Sequence, residues 1–449
     1  MEPTTVILLV VLLLFVLLAF GVHIGVALGA SGIVGLILLL GVPGAMVNVR
    51  SLPYGTTALY TLSVVPMFIL MGAFFSEAGF TRDAFKVAEA WLGRTRGGMA
   101  AATVVACALF GAVTGSSVAN AAVFSRIALP EMVDRGIDKR LAAGVVAAAG
   151  TLASLIPPSL LLVIFGIITE QSVRLLLIAG FVPGIVTVLV YIASIFIRVT
   201  LNPSLINRET ASLGRRKDPA TRLPQYSWAN RFKSLRNLWS FIAVFGVVMG
   251  GIYVGWFTPT QAGAVGAAAA LLLGFLPGRN IIGRKLWESL KLTGATTCAI
   301  LMILIGGTFM ARFLGHSGAV QDLSDFLIGL AMPPIFYFLV YCVLLLILGM
   351  FLEAFAILVL VLPLMYPILT DVGYHPIFIG IMTIKLIEIG LITPPVGLNV
   401  FIVRATSPIP LSQREAFGGI YPFIAAELVT ITILYLFPQL ILYVPSLVE

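Results

Sequence analysis

Apolar segments that match the thickness of a membrane recur along the whole chain, and short polar stretches separate them. A membrane-spanning helix needs about 20 mostly apolar residues. The pattern predicts uninterrupted helices near residues 5–20, 23–45, 58–79, 174–198, 238–256, 261–276, 292–314 and 420–443. Segments 80–97 and 319–330 mix polar with aromatic and aliphatic residues, which predicts helices lying along the membrane surface. We therefore expect an all-α polytopic membrane protein, because a barrel would show short alternating segments instead.

One unusual membrane segment occurs twice. Residues 130–158 match residues 367–395 at a constant offset of 237 positions, which aligns Pro157-Pro158 with Pro394-Pro395. A proline pair removes backbone donors and clashes with the preceding turn, so each pair should interrupt its helix. The repeat predicts two broken helices, near residues 141–168 and 377–405. Interruptions at corresponding places in two halves of a membrane protein indicate a transporter binding site.

A re-entrant hairpin is predicted before each broken helix. Residues 99–110 and 121–132 are apolar runs too short to span a bilayer, and the polar segment 111–120 joins them. Residues 335–369 predict a second hairpin with its tip near 349–354. Five predicted crossings separate the hairpins, so they should enter from opposite sides. The expected fold is an inverted repeat with two re-entrant hairpins, two broken helices and ten full crossings.

Composition and charge place these segments relative to the membrane. Of 449 residues, 60% are hydrophobic and 10% are charged, and the mean hydropathy is +1.09. Lys and Arg cluster in the loops 201–236 and 277–291, which should therefore be cytoplasmic. Both termini are then expected on the periplasmic side. The net charge of +8 reflects this topology and does not indicate nucleic-acid binding.

The repeat divides the chain into five parts. They are N-terminal scaffold helices (1–79), a first repeat (80–200), a basic cytoplasmic loop (201–236), further scaffold helices (237–314) and a second repeat (315–449). The apolar start lacks a basic leader and a small-residue cleavage site, so we expect it to be the first membrane helix. Cys107, Cys298 and Cys342 lie in apolar segments and are expected to be core residues.

The two breaks and the first hairpin tip offer polar atoms at membrane depth. Non-helical backbone persists in a bilayer only where it is buried or lines a cavity. Its free carbonyls, together with hydroxyls, form an oxygen cage for a small cation, while the helix that restarts after the break points its positive end at a carboxylate. The polar candidates are Thr114, Ser116, Ser117, Asn120, Thr393 and Asn399, near Gly111, Gly115 and Gly397. The alternative is that these small polar residues only aid helix packing.

Charged residues at membrane depth form a second set of candidates. Glu353 stands at the second tip, where the offset aligns it with Ser116, and could serve a cation, a proton or a basic partner, or be a solvated loop carboxylate. Lys385 and Glu388 are three residues apart, hence on one helix face. Such charges are costly unless paired. The simplest interpretation is that they pair with each other; the alternative is a role with substrate or proton. The chain lacks a phosphate-binding loop, and its three histidines are scattered.

Five short motifs, in a fixed order, carry a family resemblance. They are Gly111–Asn120 (GAVTGSSVAN), Pro130–Met132 (PEM), Gly150–Leu152 with Ile156–Ser159 (GTL, IPPS), Thr258–Gly266 (TPTQAGAVG) and Ile389–Asn399 (IGLITPPVGLN). Together they resemble the large membrane subunit of tripartite ATP-independent periplasmic (TRAP) transporters over almost the whole chain. The resemblance implies an elevator-type secondary transporter, driven by a sodium gradient. It also implies a periplasmic substrate-binding protein and a separate small four-helix membrane subunit as partners.

The resemblance also implies positions for the sites. Sodium sites of the family lie where a hairpin tip meets its broken helix. One would hold Ser116, Ser117, Asn120, Gly150 and Thr151, and another the second tip with Thr393 and Asn399. Substrate is then expected beside the breaks, at Thr114, Pro157, Pro158, Pro394, Pro395 and Gly397.

These observations together predict cation-coupled import of a small organic anion, with a carboxylate as the expected group, across a bacterial inner membrane. Sodium ions are the expected coupling ions, and no other cofactor or metal is expected. An ion channel, or a proton-coupled transporter without a binding protein, is the alternative. A membrane-embedded enzyme is disfavoured because no nucleophile–base constellation stands out.

Overall fold

The described part of the chain is α-helical. The computed structural model describes residues 2–93, 95–206, 228–276, 279 and 281–448. Within these ranges the only β-type pairing is an isolated bridge between Ile137 and Ile206. Much of the predicted basic loop, including Arg208, Arg215, Arg216, Lys217 and Arg222, lies outside the described residues.

The first half contains three scaffold helices, the last of which leads into the first repeat, and the first repeat itself. The scaffold helices are α1 (Pro3–Ala19), α2 (Ile24–Thr57) and α3 (Val64–Glu77). The repeat comprises α4 (Phe80–Leu92), the hairpin arms α5 (Gly98–Thr114) and α6 (Ser117–Asp134), the broken pair α7 (Lys139–Leu155) and α8 (Leu160–Ile168), then α9 (Val173–Ala179) and α10 (Phe181–Leu201).

The second half has the same order of elements. After α11 (Trp228–Leu235) come the scaffold helices α12 (Trp239–Val254), α13 (Pro259–Gly274) and α14 (Arg284–His316). The second repeat comprises α15 (Ala319–Gly329), the hairpin arms α16 (Pro334–Gly349) and α17 (Ala354–Asp371), and the broken pair α18 (Pro376–Gly390) and α19 (Leu398–Thr406). It ends with α20 (Gln413–Gly418), α21 (Tyr421–Leu436) and α22 (Gln439–Ser446). The predicted hairpins and broken helices are confirmed.

Several boundaries differ from the predicted ones because glycine and proline redirect the chain locally. The helix expected at 23–45 continues to Thr57 as α2 and bends at Gly41. The φ of Gly41 is +68°, a left-handed backbone conformation that glycine adopts without steric cost. The helix expected at 174–198 divides into α9 and α10 at Gly180. The last helix divides at Pro438. Cys107 and Cys342 are buried, but Cys298 on α14 is exposed, so its assignment to the core was wrong.

Seven helices in the described ranges are long and apolar enough to cross a membrane, and an eighth span results if the bent pair α7–α8 is taken as one. These seven include α17, an arm of the second hairpin, and omit α1 and α13, which have 17 and 16 residues. Length and composition alone do not separate a hairpin arm from a crossing. The predicted ten crossings therefore stay a prediction.

The scaffold is held together by close backbone contact between α2 and α14. A Cβ atom on Gly306 of α14 would lie 1.9 Å from the carbonyl oxygen of Gly25, and one on Gly32 would lie 2.6 Å from the backbone of Phe309. Only glycine permits this approach, which lets backbones pack in a membrane where hydrophobic burial contributes little between helices. Helix α3 packs against α13 and α14 and connects this layer to the first hairpin.

The two repeats interlock. Helix α8 of the first repeat packs against α17 and α18, while α19 of the second repeat packs against α6 and α7. The corresponding helices α10 and α21 pack against each other. This reciprocal exchange of broken-helix segments is the packing expected of an inverted repeat, and it brings both breaks to one region.

Candidate functional site

The tip of the first hairpin rests directly on the first break. Gly115 joins α5 to α6 with φ +59°, and a Cβ at this position would lie 2.8 Å from the carbonyl oxygen of Pro158. The residues between Leu155 and Leu160 are non-helical, and Ser159 caps α8 by accepting a hydrogen bond from the Leu162 amide at 3.3 Å. The irregular backbone of the tip and that of the break thus lie in direct contact.

Asn120 fastens the hairpin arm α6 to its neighbours. Its Nδ2 donates to the carbonyl oxygen of Cys107 at 2.9 Å and to that of Gly150 at 3.4 Å. Its Oδ1 is fully buried and has no hydrogen-bond partner in the part of the chain that the structure describes. The structure therefore brings Asn120 and Gly150 together, as expected for the first cation site, and leaves one buried acceptor oxygen available.

Two other residues of that predicted site have additional contacts. Ser116 is the N-cap of α6, and its hydroxyl accepts a hydrogen bond from the Ala119 amide at 3.3 Å. The hydroxyl of Thr151 donates to the Ala148 carbonyl at 2.7 Å and lies 3.5 Å from the hydroxyl of Tyr191. The Thr151 hydroxyl thus faces Tyr191 of α10.

The second hairpin meets its own broken helix through glycines. A Cβ on Gly390, at the end of α18, would lie 2.5 Å from the Cα of Gly349, at the end of α16. Glu353 occupies the position of Ser116 and has the corresponding role, because its carboxylate caps α17 by accepting from the Phe355 amide at 3.1 Å. This capping was not predicted for Glu353, and it places a carboxyl group at the second tip.

The residues predicted for the second cation site have different surroundings. Thr393 is partly buried and donates to the Ile389 carbonyl at 2.6 Å. Asn399 is fully buried, and no described residue makes a hydrogen bond to its side-chain oxygen or nitrogen. Its helix α19 packs against α6 and α7, so Asn399 belongs to the environment of the first hairpin more than to that of the second.

Four helix N-termini open into one cavity. The cavity has a volume of about 680 Å³ and is lined by Ser117, Leu160, Ala354 and Leu398, the first residues of α6, α8, α17 and α19. The free amides at a helix N-terminus carry a partial positive charge. Because the inverted repeat contributes these termini in two equivalent pairs, their fields add in the cavity, which suits an anion.

The remaining walls of the cavity come from the scaffold and from one cationic side chain. Helices α3 and α14 contribute mainly apolar and small residues, such as Gly72 and Thr296. Arg126 of α6 also lines the cavity, is exposed, and forms no ion pair with any described residue. Thr114 lines the cavity as predicted. The predicted substrate positions Pro157, Pro158, Pro394, Pro395 and Gly397 do not line it and instead shape the breaks behind it.

The buried charges pair differently from the prediction. Lys385 forms its ion pair with Glu427 of α21, and also donates to the Thr187 hydroxyl at 3.2 Å. Tyr191 donates to the other carboxylate oxygen of Glu427. The expected pair of Lys385 with Glu388 was therefore wrong: both lie on one side of α18, but the α10–α21 layer presents a better-placed acid to the lysine.

Glu388 remains without a charge partner of its own. It is 2% exposed, and neither carboxylate oxygen has a hydrogen-bond partner among the described residues. The hydroxyls of Ser154 and Ser117 are close enough to interact with the carboxylate, although neither makes a hydrogen bond of ordinary geometry to it. A buried carboxylate in this condition is costly in an apolar interior, so it is a strong indication of a functional position.

Sequence reasoning missed Glu427, Tyr191, Ser154 and Arg126. Glu427 was detectable, because a lone acid inside a predicted membrane helix calls for a partner. Arg126 was detectable for the same reason, because it is a charged residue within a predicted hairpin arm. Tyr191 and Ser154 carried no signal of their own, since their importance comes only from their neighbours.

Comparison with known proteins agrees with this architecture. Residues 11–440 match the family described as "Tripartite ATP-independent periplasmic transporter, DctM component". The chain is 35% identical over 421 residues to the C4-dicarboxylate TRAP transporter large permease protein DctM of Pseudomonas aeruginosa, covering 94% of this chain and 92% of that protein. It is 30% identical over 389 residues to the sialic acid TRAP transporter large permease protein SiaM of Vibrio cholerae, covering 86% and 87%. It is 30% identical over 440 residues to the ectoine/5-hydroxyectoine TRAP transporter large permease protein UehC of Ruegeria pomeroyi, covering 97% and 98%.

A solved structure shares the fold. The Alcanivorax borkumensis YdaH transporter is similar with a TM-score of 0.59 and 15% sequence identity, and the match covers 99% of both chains. The family match extends over nearly the whole chain and confirms the resemblance of the sequence motifs. The chain therefore belongs to the DctM family, the large membrane permeases of tripartite ATP-independent periplasmic transporters, and it is a transporter component and not an enzyme.

Proposed function

We propose that this permease imports a small organic anion by secondary active transport, with a carboxylate as the group it recognises. The convergence of four helix N-termini on one cavity carries this proposal. A cavity of about 680 Å³ falls within the range of about 300–1,000 Å³ typical of small-molecule sites. The relatives named for C4-dicarboxylate and sialic acid give independent support for an acidic substrate.

Arg126 is the proposed electrostatic anchor for the substrate. Its side chain is exposed to the cavity and has no ion-pair partner in the described part of the chain. A guanidinium binds a carboxylate through two parallel hydrogen bonds, which adds orientation to charge. Glu353 at the opposite tip repels a second negative charge and so favours substrates whose anionic groups point towards Arg126.

Sodium is the proposed coupling ion. Ser116, Ser117, Asn120, Gly150 and Thr151 supply hydroxyl, amide and carbonyl oxygens around the first tip and break. Thr393 and Asn399 contribute oxygens at the second break. Binding of a cation there would order a hairpin tip and add positive charge beside the cavity, so it would strengthen the binding of an anion.

An elevator movement of the hairpins and broken helices against the scaffold is the proposed mechanism. With the predicted topology the cavity opens to the cytoplasm, because His23, Ser76 and Leu292, which line its outer part, all stand near cytoplasmic helix ends. Its wall along α14 extends from Leu292 to Ile303, about 16 Å at the helical rise per residue. The contact of Gly72 with Thr114 marks the sliding surface, since a Cβ on Gly72 would lie 2.9 Å from the Thr114 Cα.

The proposed system includes two partners and a location. A periplasmic binding protein delivers the substrate, a small four-helix membrane subunit completes the permease, and the complex resides in the bacterial inner membrane with the termini of this chain on the periplasmic side. Substrate delivery distinguishes this system from a channel, which would conduct without a binding protein.

Uptake by proteoliposomes tests the proposal. The permease, its small subunit and the binding protein are reconstituted, and uptake of a labelled dicarboxylate or sialic acid is measured with an inward sodium gradient, with potassium replacing sodium, and without the binding protein. We expect accumulation only with sodium and the binding protein. Uptake that depends neither on sodium nor on the binding protein would refute the proposed coupling. A G72C/T114C disulfide, in a background without native cysteines, should stop transport until it is reduced if the elevator movement is correct.

A further inference from the structure

The buried charges around the second broken helix do not balance. Lys385, Glu388 and Glu427 are 3%, 2% and 1% exposed. The single cation Lys385 is neutralised by Glu427, whose carboxylate also accepts from Tyr191. This leaves Glu388 as one uncompensated carboxylate, and the apolar surroundings make a bare negative charge expensive.

The surroundings of Glu388 are rich in oxygen atoms from the first repeat. The hydroxyls of Ser117 and Ser154 interact with the carboxylate without making a hydrogen bond of ordinary geometry to it. Asn120, one turn along α6 from Ser117, has a buried and unpartnered Oδ1, and Asn399 has one on α19, the helix that packs against α6 and α7. Among the described residues, the acceptor oxygens of Asn120, Asn399 and Glu388 have no donor, and they stand on α6, α19 and α18, each of which packs against α7.

The repeat shows that this oxygen-rich place exists once, not twice. At the offset of 237 positions, Ser117, Asn120 and Ser154 correspond to Ala354, Ile357 and Leu391, which are apolar. Glu388 itself corresponds to Thr151. The second repeat thus lacks the polar set of the first, and contributes a carboxylate to it.

We propose that Glu388 is the anionic ligand of a sodium site that spans both repeats and includes the hydroxyls of Ser117 and Ser154. One monovalent cation balances one carboxylate, whereas a divalent ion would leave an excess positive charge in the same low-dielectric interior. Oxygens from α6, α7 and α18 provide more ligands than a single proton requires. The inference rests on the proposed sodium coupling and assigns to it the charged ligand that the hairpin tip alone does not supply.

The site has a route for the ion and a consequence for the mechanism. Ser117 and Ser154 line the cavity, whereas Glu388 lies behind them, so a cation from the cavity passes the two hydroxyls to reach the carboxylate. Because the ligands belong to the first hairpin and to both broken helices, the ion holds the two repeats together at the tip. Sodium binding and closure of the tip are thereby the same event.

Direct sodium binding to the purified full-length chain tests this inference without transport. Binding of radioactive sodium, and the increase of thermal stability with sodium against potassium at constant ionic strength, are measured for the wild type, Glu388→Gln, Ser154→Ala and Glu170→Gln. Glu170 is exposed and serves as the matched carboxylate control. Loss of a ligand should weaken sodium binding about 10- to 100-fold, by analogy with the loss of supporting groups at metal sites. E388Q should show the larger loss and E170Q none.

The outcomes separate this inference from the broader proposal. E388Q should be at least as stable as the wild type in sodium-free buffer, because it removes an uncompensated charge; this result shows that its weak sodium binding is not misfolding. Wild-type sodium binding that E388Q retains would overturn the assignment and leave sodium coupling intact. No sodium binding by the wild type would overturn both. Uptake that requires a proton gradient, not sodium, and that E388Q abolishes would show that the carboxylate carries a proton instead.

Discussion

Replacing Lys385 by methionine should destabilise the protein more than any other single change in the buried charge network. The substitution keeps the length and apolar stem of the side chain but leaves Glu427, which is 1% exposed, without its cation. Breaking a buried ion pair by removing one partner costs about 3–5 kcal/mol. Glu427→Gln should cost less, about 1–3 kcal/mol, because Glu388 is one helical turn from Lys385 and can partly replace the lost acid.

The double substitution K385M/E427L supplies the internal check. With both charges removed, the stability should return to within about 1–2 kcal/mol of the wild type, because apolar replacements of a buried pair are often tolerated. The free energy of unfolding is measured by titration with a denaturing detergent in mixed micelles. Lys291→Met is the matched control, since the pair Lys291–Glu288 is about half exposed and such pairs contribute about 0–1 kcal/mol. If K385M and K291M have the same free energy of unfolding, burial does not raise the cost of removing the cation from an ion pair in this protein, and the prediction is wrong.

Three further predictions concern packing and the tip. Gly306→Val should destabilise the scaffold by about 1–3 kcal/mol, because the added side chain would overpack against the Gly25 carbonyl. Gly294→Val on the same helix is the control and should have no such effect, because a Cβ at Gly294 would have no atom within 4 Å. Thermal unfolding measures the stability of both variants. Gly115→Ala should abolish uptake, because φ +59° and the Pro158 carbonyl at 2.8 Å both oppose a Cβ; normal uptake by G115A would contradict this. Ser116→Ala and Asn399→Ala should have a larger effect on the apparent sodium affinity of uptake than on the free energy of unfolding, although S116A also loses an N-cap worth about 1 kcal/mol. If the sodium dependence of uptake is unchanged in both variants, these residues do not belong to the proposed sites.

The elements that the sequence predicted are those with a local cause. Proline pairs interrupt a helix through their own covalent structure, so both breaks were evident without any partner. The hairpins followed from the length of apolar runs around Gly115 and Gly349, where glycine allows a sharp turn and close packing. The inverted order followed from counting crossings, which needs only approximate helix boundaries.

The arrangement of the site was not readable in the same way. Whether Lys385 pairs with Glu388 or Glu427 depends on which face of α18 meets the α10–α21 layer. The sequence shows only that Lys385 and Glu388 are three residues apart on one helix, and this spacing indicated the wrong partner. The packing of α19, which carries Asn399, against α6 and α7 of the first repeat was equally absent from the sequence pattern.

The sequence by itself therefore determined where the backbone leaves the helix, since steric exclusion and missing donors act between neighbouring residues. Only the tertiary structure decided which oxygens and charges face each other, and that four N-termini open into one cavity. The physical reason is that a side chain's partner is chosen by the packing of whole helices. That packing is a sum over many distant contacts, such as the glycine approach of α2 to α14, and no short segment of the chain contains it.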